Sequence, residues 1–470
     1  GRLYCFSHKM QMGACNKVRE RTMYDAVFIG SGHGAWHAVV TLALAGKKIA
    51  VVEKDLPGGA CPNYGCDAKI LLDGPFEYAE GLERYKGLCV DNIGSIDWSR
   101  LVKYKQDIIG VFPKALVDSA AQMGITFIQG EGTIIDAHTV KAGDQTIEGE
   151  NIVIATGQRD SQLDVPGKEH IHNSRDFLSV DAMPDHLICI GAGVISMEFA
   201  SMALTLGKKV TFIEFAARAL TAYPEKYVEK LVEKMKSQGA EFYFSEAVTA
   251  VEKIPEGFKV TAKSGLTVCG DYVLGATGRV ANFEGLGLET LGIEVSRRGI
   301  KVDDHLRTSV PSIYASGDII DKPVPRLTPT AEFESNYIAS LLLGETNAPI
   351  CYPNIPNLVF TLPRIAQVGV TVSEAESAPD KYKVISIPYG QQQEWIDNRE
   401  LDIDLTYIFD NDGYLAGTAI YGSEAGTWID FLTLIINKKI TATELRSMIF
   451  AFPTHTYMLV NTLTPLLRHS

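Results

Sequence analysis

The chain has 470 residues and a mass of 51.3 kDa, a length that predicts about three domains at roughly 150 residues each. A hydrophobic fraction of 46%, a charged fraction of 21% and 42 glycines exclude a disordered, collagen-like or small disulfide-rich chain. A net charge of −13 without any basic block argues against a nucleic-acid partner. No apolar run reaches the ~18 residues of a membrane span, so no membrane partner is expected.

Residues 1–22 lack an apolar signal core and precede Met23. They are read as an appended leader or extension outside the core, with Met23 as the natural start. Residues 24–30, YDAVFIG, predict a buried strand. Gly30, Gly32 and Ala35 follow in G-S-G-H-G-A, then a helical pattern to Gly46, then the strand KIAVVE, which ends at Glu53 beside Lys54. Glu53 stands 23 residues after Gly30, close to the ~20 of a dinucleotide-binding βαβ unit. The first glycine permits the tight turn and the second lets the backbone approach a pyrophosphate at the helix N-terminus. The acid accepts hydrogen bonds from a ribose diol.

Directly afterwards comes GGACPNYGCDAK, with Cys61 and Cys66 spaced C-x-x-x-x-C. The other cysteines, at 5, 15, 89, 189, 269 and 351, are scattered. That distribution suits a reducing cytoplasmic protein with one special thiol pair. No second ligand pair lies nearby in sequence, so zinc is disfavoured and no metal site is expected. A redox disulfide fits better. Five residues of regular helix rise ~7.5 Å, whereas a disulfide needs Cα atoms within ~7 Å. The segment must therefore bend, at Pro62 and Gly65.

The βαβ pattern recurs. LICI at 187–190 predicts a strand, and Gly191, Gly193 and Ser196 take the fingerprint positions. A helix to Gly207 and the strand KVTFIE follow, ending at Glu214, again 23 residues on. An acid there repels a 2′-phosphate, so NADH is expected over NADPH.

Together these residues resemble the FAD-dependent pyridine nucleotide–disulfide oxidoreductases, the family of dihydrolipoamide dehydrogenase, glutathione reductase and mercuric reductase. The family's G-G-T-C-x-N-x-G-C is similar to Gly58-Gly59-Ala60-Cys61-Pro62-Asn63-Tyr64-Gly65-Cys66. Ala155-Thr156-Gly157 and Ala276-Thr277-Gly278-Arg279 resemble its two A-T-G segments. Tyr314-Ala315-Ser316-Gly317-Asp318 resembles the segment whose Asp holds the ribityl chain, and Leu327-Thr328-Pro329 with Ala331 resembles the stretch near the isoalloxazine. Pro356, Val359-Phe360-Thr361 and Val368-Gly369 match the start of the family's dimerisation domain.

The resemblance implies an α/β fold: two Rossmann-like dinucleotide-binding domains (FAD and NAD) and a C-terminal α+β dimerisation domain. It implies an FAD domain over 23–160 and 280–345, an NAD domain over 161–279, and dimerisation over 346–470, hence a homodimer. The cofactor-binding residues implied are Gly30, Gly32, Ala35, Glu53, Lys54, Gly59, Ala60, Thr156, Gly157, Gly317, Asp318, Leu327, Thr328 and Ala331, with Gly191, Gly193, Glu214 and Gly278 for the nicotinamide nucleotide. The catalytic residues implied are Cys61, Cys66, Lys69 and Glu198. Cys66 is then the thiol nearest the flavin, Cys61 the exchange thiol, Lys69 the lysine that approaches flavin N5, and Glu198 its partner.

The sequence departs from the family's disulfide reducers at the H-P-T-x-x-E that supplies their acid–base. Phe452 stands for the His and Tyr457 for the Glu, in Phe452-Pro453-Thr454-His455-Thr456-Tyr457. Losing a general acid–base costs ~10²–10⁴ in rate, so an acceptor that needs no proton relay is expected: a metal ion, a quinone or dioxygen. The end LLRHS, without a cysteine pair, disfavours mercury. The alternatives are a dihydrolipoamide dehydrogenase-like disulfide reductase with an unusual base, for which His455 is the nearby residue, and a redox-sensing flavoprotein with little turnover. Val194 replaces a nicotinamide-covering tyrosine, and Asp67, beside Cys66, is expected to raise its thiol pKa.

Overall fold

The computed structural model of the protein describes residues 23–392 and 398–469, so the leader assignment for 1–22 lies outside the described residues. The first apolar run forms the strand Met23–Ile29, buried along its second half. It is central in a seven-stranded sheet, pairing in parallel with Ile49–Glu53 and with Gln145–Ile154. Ile313–Ala315 adds in parallel to the end of Gln145–Ile154. A chain segment from beyond the second βαβ unit thus returns to the first sheet. Burial on both faces explains why these strands read as continuous apolar runs rather than alternating ones.

The second unit repeats the arrangement. Ala240–Phe244, Lys209–Glu214, His186–Ile190 and Tyr272–Gly275 form a four-stranded parallel sheet in that order. The two connections between the sheets, Gln158–Asp160 and Arg279–Ala281, pair with each other in antiparallel fashion. The chain leaves the first unit and re-enters it side by side.

The C-terminal part is a five-stranded antiparallel sheet, ordered Asn357–Val359, Ile365–Gly369, Leu415–Tyr421, Asp404–Asp410, Tyr382–Ile387. The helix Ala425–Lys438 buries Trp428, Ile429, Leu432 and Ile435 in the core of this part. The architecture is α/β with two Rossmann-like units and an α+β C-terminal domain, as expected. Among the described residues no helix is long and apolar enough to cross a membrane.

Candidate functional site

Both glycine fingerprints close on the same contact. Gly30 has φ +102° and Gly191 φ +100°. A Cβ on Gly30 would lie 2.3 Å from the carbonyl oxygen of Ala155, and one on Gly191 would lie 2.4 Å from that of Ala276. Each turn therefore needs glycine twice over, for its dihedral angles and for the A-T-G segment that crosses it. The helices His33–Leu44 and Val194–Thr205 start at Gly32 and Gly193, and no side chain caps either start. Their first N–H groups and the positive ends of their dipoles are left for an anion. Ala35 and Ser196 are fully buried, where the helix meets its sheet.

A single cleft is lined by Gly30, Gly32, Glu53, Lys54, Gly59, Ala60, Cys61, Thr156, Gly157, Gly317, Asp318, Leu327, Thr328 and Ala331. Every expected residue of the first cofactor set lines it except Ala35, which lies behind its wall. Glu53 is buried, not an exposed strand end: its carboxylate accepts from Ser31 N (2.9 Å), Ser31 Oγ (2.7 Å) and Asp55 N (2.9 Å). Lys54 pairs with Glu131 at 3.1 Å on the surface. Glu214 accepts from Ala192 N at 2.5 Å and Ala216 N at 2.6 Å, which fixes it at the second glycine turn. Gly278 lies on the second A-T-G segment, with its carbonyl accepting from Ser161 N.

The thiol segment bends as required. A short helix, Ala60–Tyr64, ends at Gly65, and a new helix, Cys66–Glu83, begins. A Cβ on Gly65 would sit 2.9 Å from Ala60 O, so no other residue fits the break. In this structure the pair is a dithiol, with Cys66 exposed and Cys61 half-buried. Cys66 Sγ lies 3.4 Å from Thr328 Oγ1. The two thiols titrate unequally. A hydrogen bond from Cys61, supported by Thr328 and Lys69, draws Cys66 down to about 6, although Asp67 and the partial desolvation of a sulfur packed among neighbours on an otherwise exposed residue oppose it. The same hydrogen bond, with burial, pushes Cys61 up. Asp67 does raise the Cys66 pKa, as expected, but its repulsion is smaller than the stabilisation from Cys61 and Thr328, so the net shift is downward. Because the Cys66 pKa is depressed, its thiolate is present above pH ~6 and is lost as pH falls through that value. Alkylation of the reduced protein by iodoacetamide should rise with a midpoint near pH 6. Cys66→Ser should remove that phase, leaving one with an alkaline midpoint.

Lys69 lies one turn beyond Cys66 and reaches Glu198 at 3.0 Å. Glu198 is buried on the Val194–Thr205 helix and also accepts from Phe360 N at 2.9 Å. The Lys69 ammonium sits 4.1 Å from the centre of the Phe360 ring. Three distant segments meet here. Burial raises the Glu198 carboxyl, and Lys69 and the Phe360 amide counter it.

Two supporting networks carried no sequence motif. Asp73, one turn after Lys69, takes Arg364 in a two-bond pair at 3.1 and 2.5 Å, and both residues are buried. Arg364 also donates to the carbonyls of Phe360 and Thr361. The thiol helix is thereby tied to the C-terminal domain. Glu334, fully buried, accepts from Gly317 N, Lys322 Nζ and Tyr352 OH at 2.6, 2.7 and 2.7 Å. It holds the turn that presents Asp318. An acid three or four residues past a cofactor or catalytic position, Glu334 after Ala331 and Asp73 after Lys69, was the only available signal.

At the C-terminal end, the rings of Phe452 and Tyr457 meet edge to face with centroids 5.1 Å apart. Three residues on, His455 Nδ1 lies 2.8 Å from Glu424 Oε1. His455 is half-buried, not a bare surface histidine.

Family comparison agrees with this geometry. Residues 24–335 match the family model described as pyridine nucleotide-disulphide oxidoreductase, and 355–463 match that family's dimerisation domain. The chain belongs to the pyridine nucleotide-disulphide oxidoreductase family. Members of this family are FAD-dependent enzymes that use pyridine nucleotides. The dihydrolipoyl dehydrogenase of Bacillus subtilis is 30% identical over 92% of this chain and 93% of its own. A Nostoc glutathione reductase is 31% identical over 75% of this chain and 80% of its own. Among solved structures, the HOCl-induced flavoprotein disulfide reductase RclA of Escherichia coli superposes with a TM-score of 0.85 at 25% identity, covering 94% of this chain and all of that one. RclA has also been solved as a Cu(II) complex, with a TM-score of 0.85 at 25% identity.

Proposed function

We propose that this family member oxidises NADH and passes the electron pair through the Cys61–Cys66 pair to a one-electron metal acceptor of the Cu(II) class. The observation that carries this reading is Phe452 against Tyr457, a pair that lacks both the imidazole that takes up and releases a proton near neutral pH and the carboxylate that would orient it. Reducing a disulfide substrate requires a proton for the departing thiolate. Oxidising the dithiol does not: one thiolate, one thiol and two Cu(II) give a disulfide, two Cu(I) and one released proton. Overall, NADH and two Cu(II) give NAD⁺, a proton and two Cu(I). The Cu(II) complex of RclA supports a metal of this kind. Quinones and dioxygen are the other acceptors that need no base at 452.

The first cleft fits FAD, because its glycine turn admits no Cβ and its helix start lacks a side-chain cap. FAD, when bound, supplies the two-electron relay between nicotinamide and thiols. Glu53, Asp318 and the backbone from Gly30 to Gly34 would hold it. Lys69 would place a positive charge fixed by Glu198, and Cys66 would hold the thiolate.

NADH is favoured over NADPH. Glu214 presents its carboxylate at the second turn, and Arg218 is turned away to the carbonyls of Ala219, Leu220, Thr221 and Tyr223. Arg218, the arginine that follows Glu214 in sequence, is thus not left for a 2′-phosphate. An anaerobic titration followed by an acceptor panel tests both points. NADH should bleach the flavin faster than NADPH at equal low concentration, and Cu(II) should turn over faster than lipoamide. Faster lipoamide turnover would overturn the acceptor reading.

The dimerisation domain supports a homodimer, as do Met448, Ile449 and Phe452, apolar residues exposed together near its end. Sedimentation at micromolar concentration should give twice 51.3 kDa; a stable monomer would refute it.

A second reading, a dihydrolipoamide dehydrogenase-like reductase with an unusual base, is favoured by one contact: Glu424 orients His455 much as a carboxylate orients a general base. Under that reading, His455→Ala lowers disulfide turnover by ~10²-fold or more and leaves Cu(II) turnover in place.

A further inference from the structure

The helix that opens the first βαβ unit carries His33 and His37, one turn apart. Residues four apart lie on the same helix face. His33 Nδ1 and His37 Nε2 point at each other across 3.0 Å. The carboxylate of Glu332, on the helix Thr328–Leu342, lies 3.6 Å from His37 Nδ1. One ligand atom from each of the three residues lies within 4.8 Å of the others. The two helices are locked side by side, and Ala38 N donates to Ser335 Oγ at 2.9 Å, so the cluster is built on rigid elements rather than on a loop.

We propose that His33, His37 and Glu332 form a site for a divalent transition-metal ion and dock Cu(II) beside the redox thiols. Two imidazole nitrogens each ~2.0–2.1 Å from a metal, at roughly a right angle, lie about 3 Å apart, which is the separation found here. Imidazole with carboxylate suits Cu(II), Zn(II) and Ni(II), and Cu(II) binds such sets most tightly. Placement supplies the second half of the argument. Thr328, which contacts Cys66 Sγ, lies one turn before Glu332 on the same helix. Asp67 acts electrostatically on both His33 and Cys66. His33 lines the cleft wall, while His37 and the partly exposed Glu332 lie outside its lining. The docking half rests on the metal-acceptor reading; the site itself does not.

The test uses untagged holoenzyme with the disulfide closed and no NADH, so that Cu(II) stays oxidised. Cu(II) alone is titrated and followed by electron paramagnetic resonance and by metal per chain. The wild type is expected to bind one Cu(II) with coupling to two nitrogens. His37→Ala should lose one nitrogen coupling and bind at least tenfold more weakly. Glu332→Gln, at a position with a side chain 46% exposed, should weaken binding without disturbing the fold. Flavin content reports whether each variant is intact. His305→Ala controls for the exposed Asp303–Asp304–His305 group. Absence of a two-nitrogen signal in the wild type overturns the site. So does a signal unchanged in both variants, or one lost only in His305→Ala. In steady state, the KM for Cu(II) should rise about tenfold in His37→Ala while the KM for NADH holds; an unmoved Cu(II) KM overturns docking. A wild type that binds Cu(II) at two imidazoles but never reduces it overturns the acceptor reading, and docking with it, while the site stands.

Discussion

Phe452→His combined with Tyr457→Glu is expected to raise lipoamide turnover by ~10²-fold or more, toward the range a positioned acid–base normally contributes. The two side chains already touch, with ring centroids 5.1 Å apart, so a histidine and a glutamate placed there can pair. The local helix tolerates the change. Thr454 caps the helix His455–Leu463 and accepts from Tyr457 N at 3.1 Å, so Tyr457 occupies the position where glutamate completes a capping box and meets the helix dipole favourably. Phe452→His alone should gain much less, because Tyr457 cannot orient the ring as a carboxylate does. Cu(II) turnover should change little, since that half-reaction needs no proton delivered. An unaltered enzyme that already reduces lipoamide at on the order of 10² per second would refute the argument. His455→Ala would then be decisive, given the His455–Glu424 contact.

Asp73→Ala is expected to cost about 3 kcal/mol of stability, the low end of the penalty for removing one member of a buried ion pair, because the half-exposed carboxylate of Glu77 stays 3.4 Å from Arg364. Arg364 is 4% exposed and Asp73 2%, so water cannot replace the lost carboxylate. The carbonyls of Phe360 and Thr361 satisfy part of the guanidinium, and Glu77, at 3.4 Å and half-exposed, offsets only part of its charge. The loss should appear as a lower denaturation midpoint and as slower thiol reduction, because Asp73 lies one turn from Lys69 on the thiol helix. Asp73→Leu with Arg364→Met should recover most of the stability, since an apolar pair of similar volume carries no desolvation cost. A double variant as unstable as Asp73→Ala would show that packing, not the orphaned charge, sets the loss.

Two levels of information separate cleanly in this chain. The βαβ units, the glycine turns ending in Glu53 and Glu214, and the bend at Gly65 were legible because each depends on residues within about one supersecondary unit. Periodicity and backbone sterics operate at that range. The residues expected to hold the first cofactor do converge on one cleft, since family motifs encode contacts that sequence distance hides. H-x-x-x-H at His33 and His37 was present in the sequence too, but its third member, Glu332, comes from a helix some 300 residues away. The Arg364–Asp73 pair spans 291 positions and Lys69–Glu198 spans 129; neither has a local signature. The Cys66 pKa falls despite its neighbour in sequence, because the hydrogen bonds of Cys61 and Thr328 and the charge of Lys69 together outweigh the repulsion from Asp67. His455 acquires its partner in the same way, from Glu424, 31 positions earlier in the chain. Local sequence determined the turns and units that build the cleft. Which charges and protons are stabilised inside it was decided by tertiary structure, because electrostatic energy depends on burial and distance in space, not on position along the chain.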